Sequence, residues 1–271
     1  MRTSTCLLLF ASFAAAVAIA ATDHDNDALA RARHLQYEFR LGNLQVADSL
    51  VEGLEAAVAR SPDNADLWEA LGNAYMSKQG ALSASTWDPP ALIAAGDRAR
   101  EAFARALSMD DKNALLLASH GMAGAATALF KQDSATLMSS IDEMNAAVRQ
   151  APNSTPVRLT RGFTIIHLPP AIRDTAAVTE DLNFVLNTAP GGRPEDVLHV
   201  LLGDVHAEVG NVDAARAEYA RVTGASRFAA DEVKSRLRDL EKGTISKDSI
   251  TRVRAGTGNQ CVMCHAPGSD N

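Results

Sequence analysis

The sequence predicts an all-α protein built from stacked pairs of antiparallel helices. Three observations support this fold class. The chain is rich in alanine, which favours helix. A glycine recurs within helix-like apolar segments, at Gly72, Gly121, Gly162 and Gly203. No segment shows the period-two alternation that is typical of a half-buried strand. Small residues at these glycine positions would let two helices approach closely, so we expect one helix pair around each glycine.

The first segment, residues 1–21, has the pattern of a secretory signal peptide. Arg2 precedes an apolar run that starts at Cys6, and the small residues Ala18 and Ala20 follow. The alternative is an uncleaved membrane anchor, but the apolar run is shorter than the roughly 20 residues that a span needs. We therefore expect cleavage near Ala20 or Ala21 and a periplasmic or secreted protein, with Cys6 removed.

Composition limits the classes of partner. The net charge is −7, which argues against nucleic acid and against anionic membrane surfaces. After the signal peptide no segment is apolar enough to cross a bilayer. Only two cysteines remain in the mature chain, so we expect stability to come from core burial and not from a structural disulfide.

Two segments carry a recognisable helix-pair pattern. The first has Trp68, Leu71, Gly72 and Tyr75, followed after residues 80–96 by the second-helix positions Ala99, Phe103 and Ala106. The other pairs Leu202, Gly203 and His206 with Ala215 and Tyr219, across a tight turn at Gly210-Asn211. Two weaker units surround Gly121 and Gly162, and a half unit ends at Asn64. We expect residues 80–96 to form a loop-like insertion and Trp68 to fill a helix-packing position.

This pattern resembles the tetratricopeptide repeat (TPR) over residues 28–242. The resemblance implies a curved solenoid of about four to five helix pairs, because no pair can bury its apolar face alone. It also implies a concave groove that binds an extended peptide or a helix of a protein partner. The alternative is a generic alanine-rich helical bundle, which is also all-α.

Two segments need separate interpretation. The β-branched stretch "VRLTRGFTIIHLPP" is placed on a helix, because it contains Gly162 and because Pro169-Pro170 would end that helix. The acidic stretches "TEDL" and "RPEDVL" are interpreted as helix starts, where carboxylates are favourable beside the N-terminal dipole. Gly243 is expected to end the last helix, and residues 243–271 to form a mostly irregular tail.

The tail contains Cys261, Cys264 and His265 in the spacing Cys-x-x-Cys-His. This motif resembles the haem-attachment site of c-type cytochromes. The resemblance implies one covalent haem c, with Cys261 and Cys264 as thioether anchors and His265 as the proximal ligand of the haem iron. Gly256, Gly258 and Gly268 would allow the backbone to approach a planar ligand closely. A labile disulfide or redox pair and a metal site with a further ligand remain alternatives.

Only six residues follow His265, whereas an ordinary small cytochrome c continues with a long stretch that covers the haem. The haem would therefore use the solenoid or another subunit of an oligomer as its wall, or remain exposed. Its distal ligand would come from the solenoid, from a partner or from water, or the distal site would be open. We single out His167 as a candidate distal ligand, because it follows Gly162 on the groove-facing side of its helix. The other histidines are assigned to helix packing (His120, His199 and His206) or to the surface (His24 and His34), and the methionines to the core.

Taken together, the residues predict an exported monohaem electron-transfer protein whose repeats bind redox partners. The first alternative is a scaffold or assembly factor that binds partner proteins, with the terminal motif as a redox or metal site. The second is a peroxidase-like haem enzyme. No set of catalytic residues can be recognised in the sequence, so an enzyme is not expected.

Overall fold

The computed structural model describes residues 25–32, 44–86, 88–188, 193–225 and 227–243. The predicted signal peptide, His24 and His34 lie outside the described residues. So do the tail from residue 244 onward and its Cys261, Cys264 and His265.

The described residues form helices joined by short turns, and they contain no β-strand. A 3₁₀ turn, Pro170–Ile172, lies between the helices Thr155–Ile166 and Thr175–Thr188. In chain order the helices are α1 (25–32), α2 (Leu44–Arg60), α3 (Ala65–Ser85), α4 (Pro89–Met109), α5 (Ala114–Lys131), α6 (Ser134–Gln150), α7 (Thr155–Ile166), α8 (Thr175–Thr188), α9 (Arg193–Glu208), α10 (Val212–Tyr219) and α11 (Arg227–Glu241). The prediction of an all-α protein is confirmed.

Polar caps set the start of most helices. Asn64 accepts hydrogen bonds from the backbone N–H groups of Asp66 and Leu67 at 3.1 and 3.3 Å. The starts of α4, α5, α6 and α10 are capped in the same way, by the side chains of Asp88, Asn113, Asp133 and Asn211 respectively. These caps satisfy backbone donors that a helix start leaves unpaired. Short capped turns bring each helix back against the one before it.

The recurring glycines lie where the two helices of a pair cross. A Cβ atom on Gly72 would lie 2.7 Å from the ring of Phe103, and one on Gly203 would lie 2.2 Å from the ring of Tyr219. At Gly121 the nearest atom is the backbone oxygen of Ser140, at 2.7 Å. Side chains of any size would push these pairs apart, so the predicted role of the glycines in close helix packing is confirmed.

The buried side chains form two large clusters that meet at α5. The N-terminal cluster extends from α1 to α5 and includes Leu116 and Ala123 of that helix. The C-terminal cluster extends from α5 to α11 and includes Ala125 and Ala128. Because α5 contributes to both clusters, it joins the two halves of the stack.

Residues 80–96 do not form a loop-like insertion, and that prediction is wrong. Helix α3 continues to Ser85 and α4 already begins at Pro89, so both helices of this pair are extended. Alanine keeps the extended segments helical. Asp88 caps α4, and the prolines that follow occupy its first positions, where no backbone donor is needed.

The stretch "TEDL", residues 179–182, does not start a helix. Helix α8 begins earlier, at Thr175, where the side chain of Asp174 accepts a hydrogen bond from the backbone of Ala177 at 2.9 Å. Within that stretch Asp181 is fully buried. The stretch "RPEDVL" does lie at a helix start, with Glu195 and Asp196 in the first turn of α9.

Candidate functional site

The first helices of successive pairs, α3, α5, α7 and α9, share one face of the stack, which we call the groove. Helices α5 and α7 contact each other directly along it. The residue after each recurring glycine marks the groove position of its helix. At this position Asn73, Met122 and Phe163 are half-buried, whereas Asp204 is fully buried. The side chain at this position is therefore partly accessible on α3, α5 and α7 and inaccessible on α9.

Helix α11 packs against both α9 and α10 at the C-terminal end of the described stack. Asp204 accepts a hydrogen bond from the hydroxyl of Tyr219 on α10 at 2.6 Å. The same carboxyl oxygen accepts one from Nε of Arg236 on α11 at 2.9 Å. Burial, followed by the charge of Asp204, raises the pKa of Tyr219 far above its usual value, so the phenol stays protonated as a donor. This hydrogen-bonded contact holds the last three helices together.

The middle of the groove is apolar. Met122 of α5 and Leu159 and Phe163 of α7 are only partly buried, and they pack against the C-terminal cluster. Leu159 and Phe163 are four residues apart and so share one side of α7. Partly buried apolar side chains on a rigid helix face can anchor the apolar side chains of a bound segment.

The α3 end of the groove is acidic. Asp66, Glu69 and Asn73 line a cavity of about 250 Å³ between α1, α2 and α3. Burial, with a smaller effect of the neighbouring Asp66, raises the pKa of Glu69 above its ordinary value of 4.5. An ionised Glu69 is thus poorly solvated, and a cationic group placed beside it would be favourable.

A second set of polar contacts joins α4, α5 and α6. His120 Nδ1 lies 2.7 Å from an oxygen of Glu143, and Arg100 donates to both residues at 3.3 and 3.4 Å. Burial raises the pKa of Glu143, but the hydrogen bond from His120 and the charge of Arg100 lower it overall. Burial and then the hydrogen bond to Glu55 raise the pKa of Tyr75 to about 12. These groups join helices and do not face the groove.

The histidines assigned to packing are half-buried or buried. His199 is buried, with Nδ1 2.8 Å from an oxygen of Glu218 on α10. His120 is paired with Glu143, as described above, and His206 is half-buried on α9. His167 is different, because it is the C-terminal cap of α7 and is half-buried. Its Nδ1 lies 2.5 Å from the carbonyl oxygen of Phe163, so it follows Phe163 on the groove side at the end of that helix.

Trp68 is not the fully buried anchor that its position in the repeat indicates. Its ring is half-buried against the N-terminal cluster, and its indole N–H donates to the carbonyl oxygen of Pro62 at 2.8 Å. The fully buried ring of this pair is Phe103, which lies against Gly72. Trp68 therefore ties α3 to the preceding turn, and Phe103 fills the helix crossing.

Within the described ranges no cluster of three or more histidine, cysteine, aspartate or glutamate side chains is arranged to hold a metal ion. The same part of the chain has no helix that is long and apolar enough to span a membrane. Neither finding extends to the tail or to the N-terminal segment.

The chain is similar in structure to a thermophilic TPR protein of Thermus thermophilus. The two share 15% sequence identity with a TM-score of 0.53, over 86% of this chain and 98% of that protein. No family model matches the chain, and the comparison with curated proteins finds no match either. At this identity the similarity concerns the fold alone. The described part of the chain is thus an all-α, TPR-like helical-repeat solenoid.

Proposed function

We propose that this protein is an exported scaffold that binds a protein partner in its groove and exchanges electrons with it through a covalent haem c. The observation that carries the scaffold role is the groove, where the apolar side chains of Met122, Leu159 and Phe163 are only partly buried although they belong to the stack. Monomeric surfaces rarely leave such side chains together unless they bind something. A TPR-like fold presents this kind of surface for protein partners.

The chemistry of the groove defines the segment that it would bind. The apolar middle would accept apolar side chains, and Asp66 and Glu69 at the α3 end would accept a lysine or an arginine. Pairing with a cation would offset the cost of holding Glu69 ionised while it is partly buried. The partner segment is therefore proposed to be basic at one end and apolar beyond it.

A selection from a displayed library of random peptides tests the groove. We expect the enriched peptides to combine lysine or arginine with apolar residues. Phe163→Asp should weaken their binding by about tenfold or more, because it places a charge at the centre of the apolar contact. Met138→Asp is the matched control, since Met138 is 51% exposed on a second helix, outside the groove. Equal binding by both variants, or no enrichment at all, would contradict a peptide-binding groove.

The haem part of the proposal is supported by the sequence motif. Cys261 and Cys264 would form thioether bonds by adding their S–H groups across the two vinyl groups of haem, and His265 would bind the iron. Bound in this way, the haem would supply one-electron oxidation and reduction. The predicted signal peptide supports it too, because attachment of this kind takes place outside the cytoplasm. The redox partner would be the protein held in the groove.

Expression in a host with haem-attachment machinery tests this part. We expect a red protein with a Soret band that survives acid–acetone extraction. Cys261→Ala with Cys264→Ala should abolish the covalent haem and leave the helical circular dichroism nearly unchanged, because the described core is complete by α11. His265→Ala should disrupt attachment or leave haem without its proximal ligand. A colourless wild-type protein that still selects peptides would favour the second candidate, a scaffold without electron transfer.

A further inference from the structure

Exposed apolar side chains occur in two turns at one edge of the stack, where first helices turn into second helices. Ile172, in the turn between α7 and α8, is 42% exposed. Val209 and Val212, on either side of the turn between α9 and α10, are 60% and 42% exposed. We call Ile172, Val209 and Val212 the turn edge. Single exposed apolar residues need no explanation, but a group of them marks a surface that is covered in the working protein.

An ion pair brings these two turns side by side. Arg173 pairs with Glu208, and it also donates to the carbonyl oxygen of Leu168 at 3.1 and 2.5 Å. The guanidinium of Arg173 is therefore fixed between the end of α7 and the end of α9. Ile172 and Val209 are the direct chain neighbours of this pair, so the two turns that carry the exposed apolar side chains are neighbours at this edge.

The chain leaves the described fold at this same edge. The backbone N–H groups of Thr223 and Gly224, just before α11, donate to Asp196 near the start of α9 at 2.7 and 3.1 Å. Further along, Arg236 of α11 meets Asp204 of α9. Helices α9 and α11 are therefore parallel, and they start at about the same level. Gly243, with φ +65° after α11, lies level with the turn that follows α9.

The segment that continues from Gly243 has a composition that matches the turn edge. Residues 244–254 contain three large apolar residues and three cations, namely Ile245, Ile250, Val253, Lys247, Arg252 and Arg254. The turn edge is flanked by the exposed carboxylates of Asp174 and Asp213. Apolar residues would meet apolar residues, and cations would meet carboxylates.

We propose that residues 244–254 fold back over the turn edge and cover Ile172, Val209 and Val212. The occupant is this chain's own segment, because it begins at the edge and carries the complementary charge. The docking itself does not need haem. A further consequence rests on the proposed function: His167 ends α7 five residues before Ile172, so a tail docked on the turn edge would bring its motif towards that end of the groove.

Limited trypsin digestion of the full chain tests this docking, since trypsin cleaves after Lys247, Arg252 and Arg254. Cleavage after Arg252 and Arg254 should become about fivefold faster or more in Val209→Gln with Val212→Gln, because a docked segment must open before it is cut. Met109→Gln is the matched control, since Met109 is 40% exposed but ends α4 at the opposite edge. It should leave the rate unchanged, and circular dichroism should show that all variants stay folded.

Three results would overturn the docking. Equal cleavage rates in the wild type and the double variant would show that the turn edge does not protect the tail. Protection that appears only at high protein concentration would assign the edge to a second copy, and protection that needs an added protein would assign it to a partner. Repeating the digestion on Cys261→Ala with Cys264→Ala separates this inference from the proposed function. A protected tail without haem supports the docking alone, and haem attachment to an unprotected tail supports the electron-transfer proposal alone.

Discussion

Asp181→Ala is expected to destabilise the protein by about 3–5 kcal/mol, because it leaves buried arginines without their counter-charge. Asp181 is fully buried and joins α8 to α7. It accepts hydrogen bonds from Arg158 at 3.0 Å and from Arg161 at 2.6 and 2.8 Å. Both guanidinium groups are about nine-tenths buried, so water cannot replace the lost carboxylate. Urea denaturation followed by circular dichroism measures the change in the free energy of unfolding.

Glu180→Ala is the matched control for this prediction. Glu180 is the chain neighbour of Asp181 and pairs with Arg158 at 2.8 Å, but its side chain is 64% exposed. An exposed ion pair contributes at most about 1 kcal/mol. If both variants lose the same stability, burial is not what makes the Asp181 contacts important, and the argument fails.

Phe103→Ala is expected to cost about 3–5 kcal/mol, because it removes a fully buried ring from the crossing of α3 and α4. Trp68→Ala should cost less, about 1–2 kcal/mol, since it loses a half-buried ring and one hydrogen bond. Thermal and urea unfolding of the two variants give the comparison. If Trp68→Ala lost more stability than Phe103→Ala, Trp68 and not Phe103 would be the main packing ring of this helix pair.

The contact of Phe103 with Gly72 adds a sharper test. Gly72→Ala alone should be destabilising, because its Cβ would lie 2.7 Å from the ring. In the Phe103→Ala background the same methyl group would enter the cavity that the ring leaves. The two changes should therefore cost clearly less together than the sum of their separate costs. Strict additivity would show that the two residues do not meet at the crossing.

Much of the fold could be predicted from the sequence because close helix crossings constrain residue type. Only a residue without a side chain fits where Tyr219 lies 2.2 Å from the would-be Cβ of Gly203, so these glycines mark the pairs. Turn chemistry was predictable for a similar reason: Gly210 and Gly243 have positive φ values of 78° and 65°. The extension of α3 and α4 could not be recognised, because an alanine-rich stretch with a Pro-Pro pair fits both a loop and a capped helix start.

The buried carboxylates were not predictable from the sequence alone. An acidic residue in a helix usually faces solvent, and the partners of Asp181 are twenty or more positions earlier in the chain. For Asp204 the sequence does offer one signal: it directly follows a recurring glycine. Asn73, Met122 and Phe163 occupy the same position in the other pairs, and all three are only partly buried. The repeat pattern ends before α11, so the contact between Arg236 of that helix and Asp204 could not be foreseen. The haem motif, its axial ligands and export remain predictions, since they fall on residues that the structure does not describe or on His167, whose role as a ligand is untested.

The contact between Asp204 and Arg236 determines where further helix pairs could be inserted into this stack by design. Arg236 is 2% exposed, so α11 is matched to the particular acid beneath it and is not a neutral end cap. A grafted helix pair would have to be spliced in before Arg227, and it would need an aspartate directly after its own crossing glycine to receive α11. A helix joined after Gly243 would instead start at the turn edge, where α8 and α10 also start, and it could return along α11 to complete one more pair.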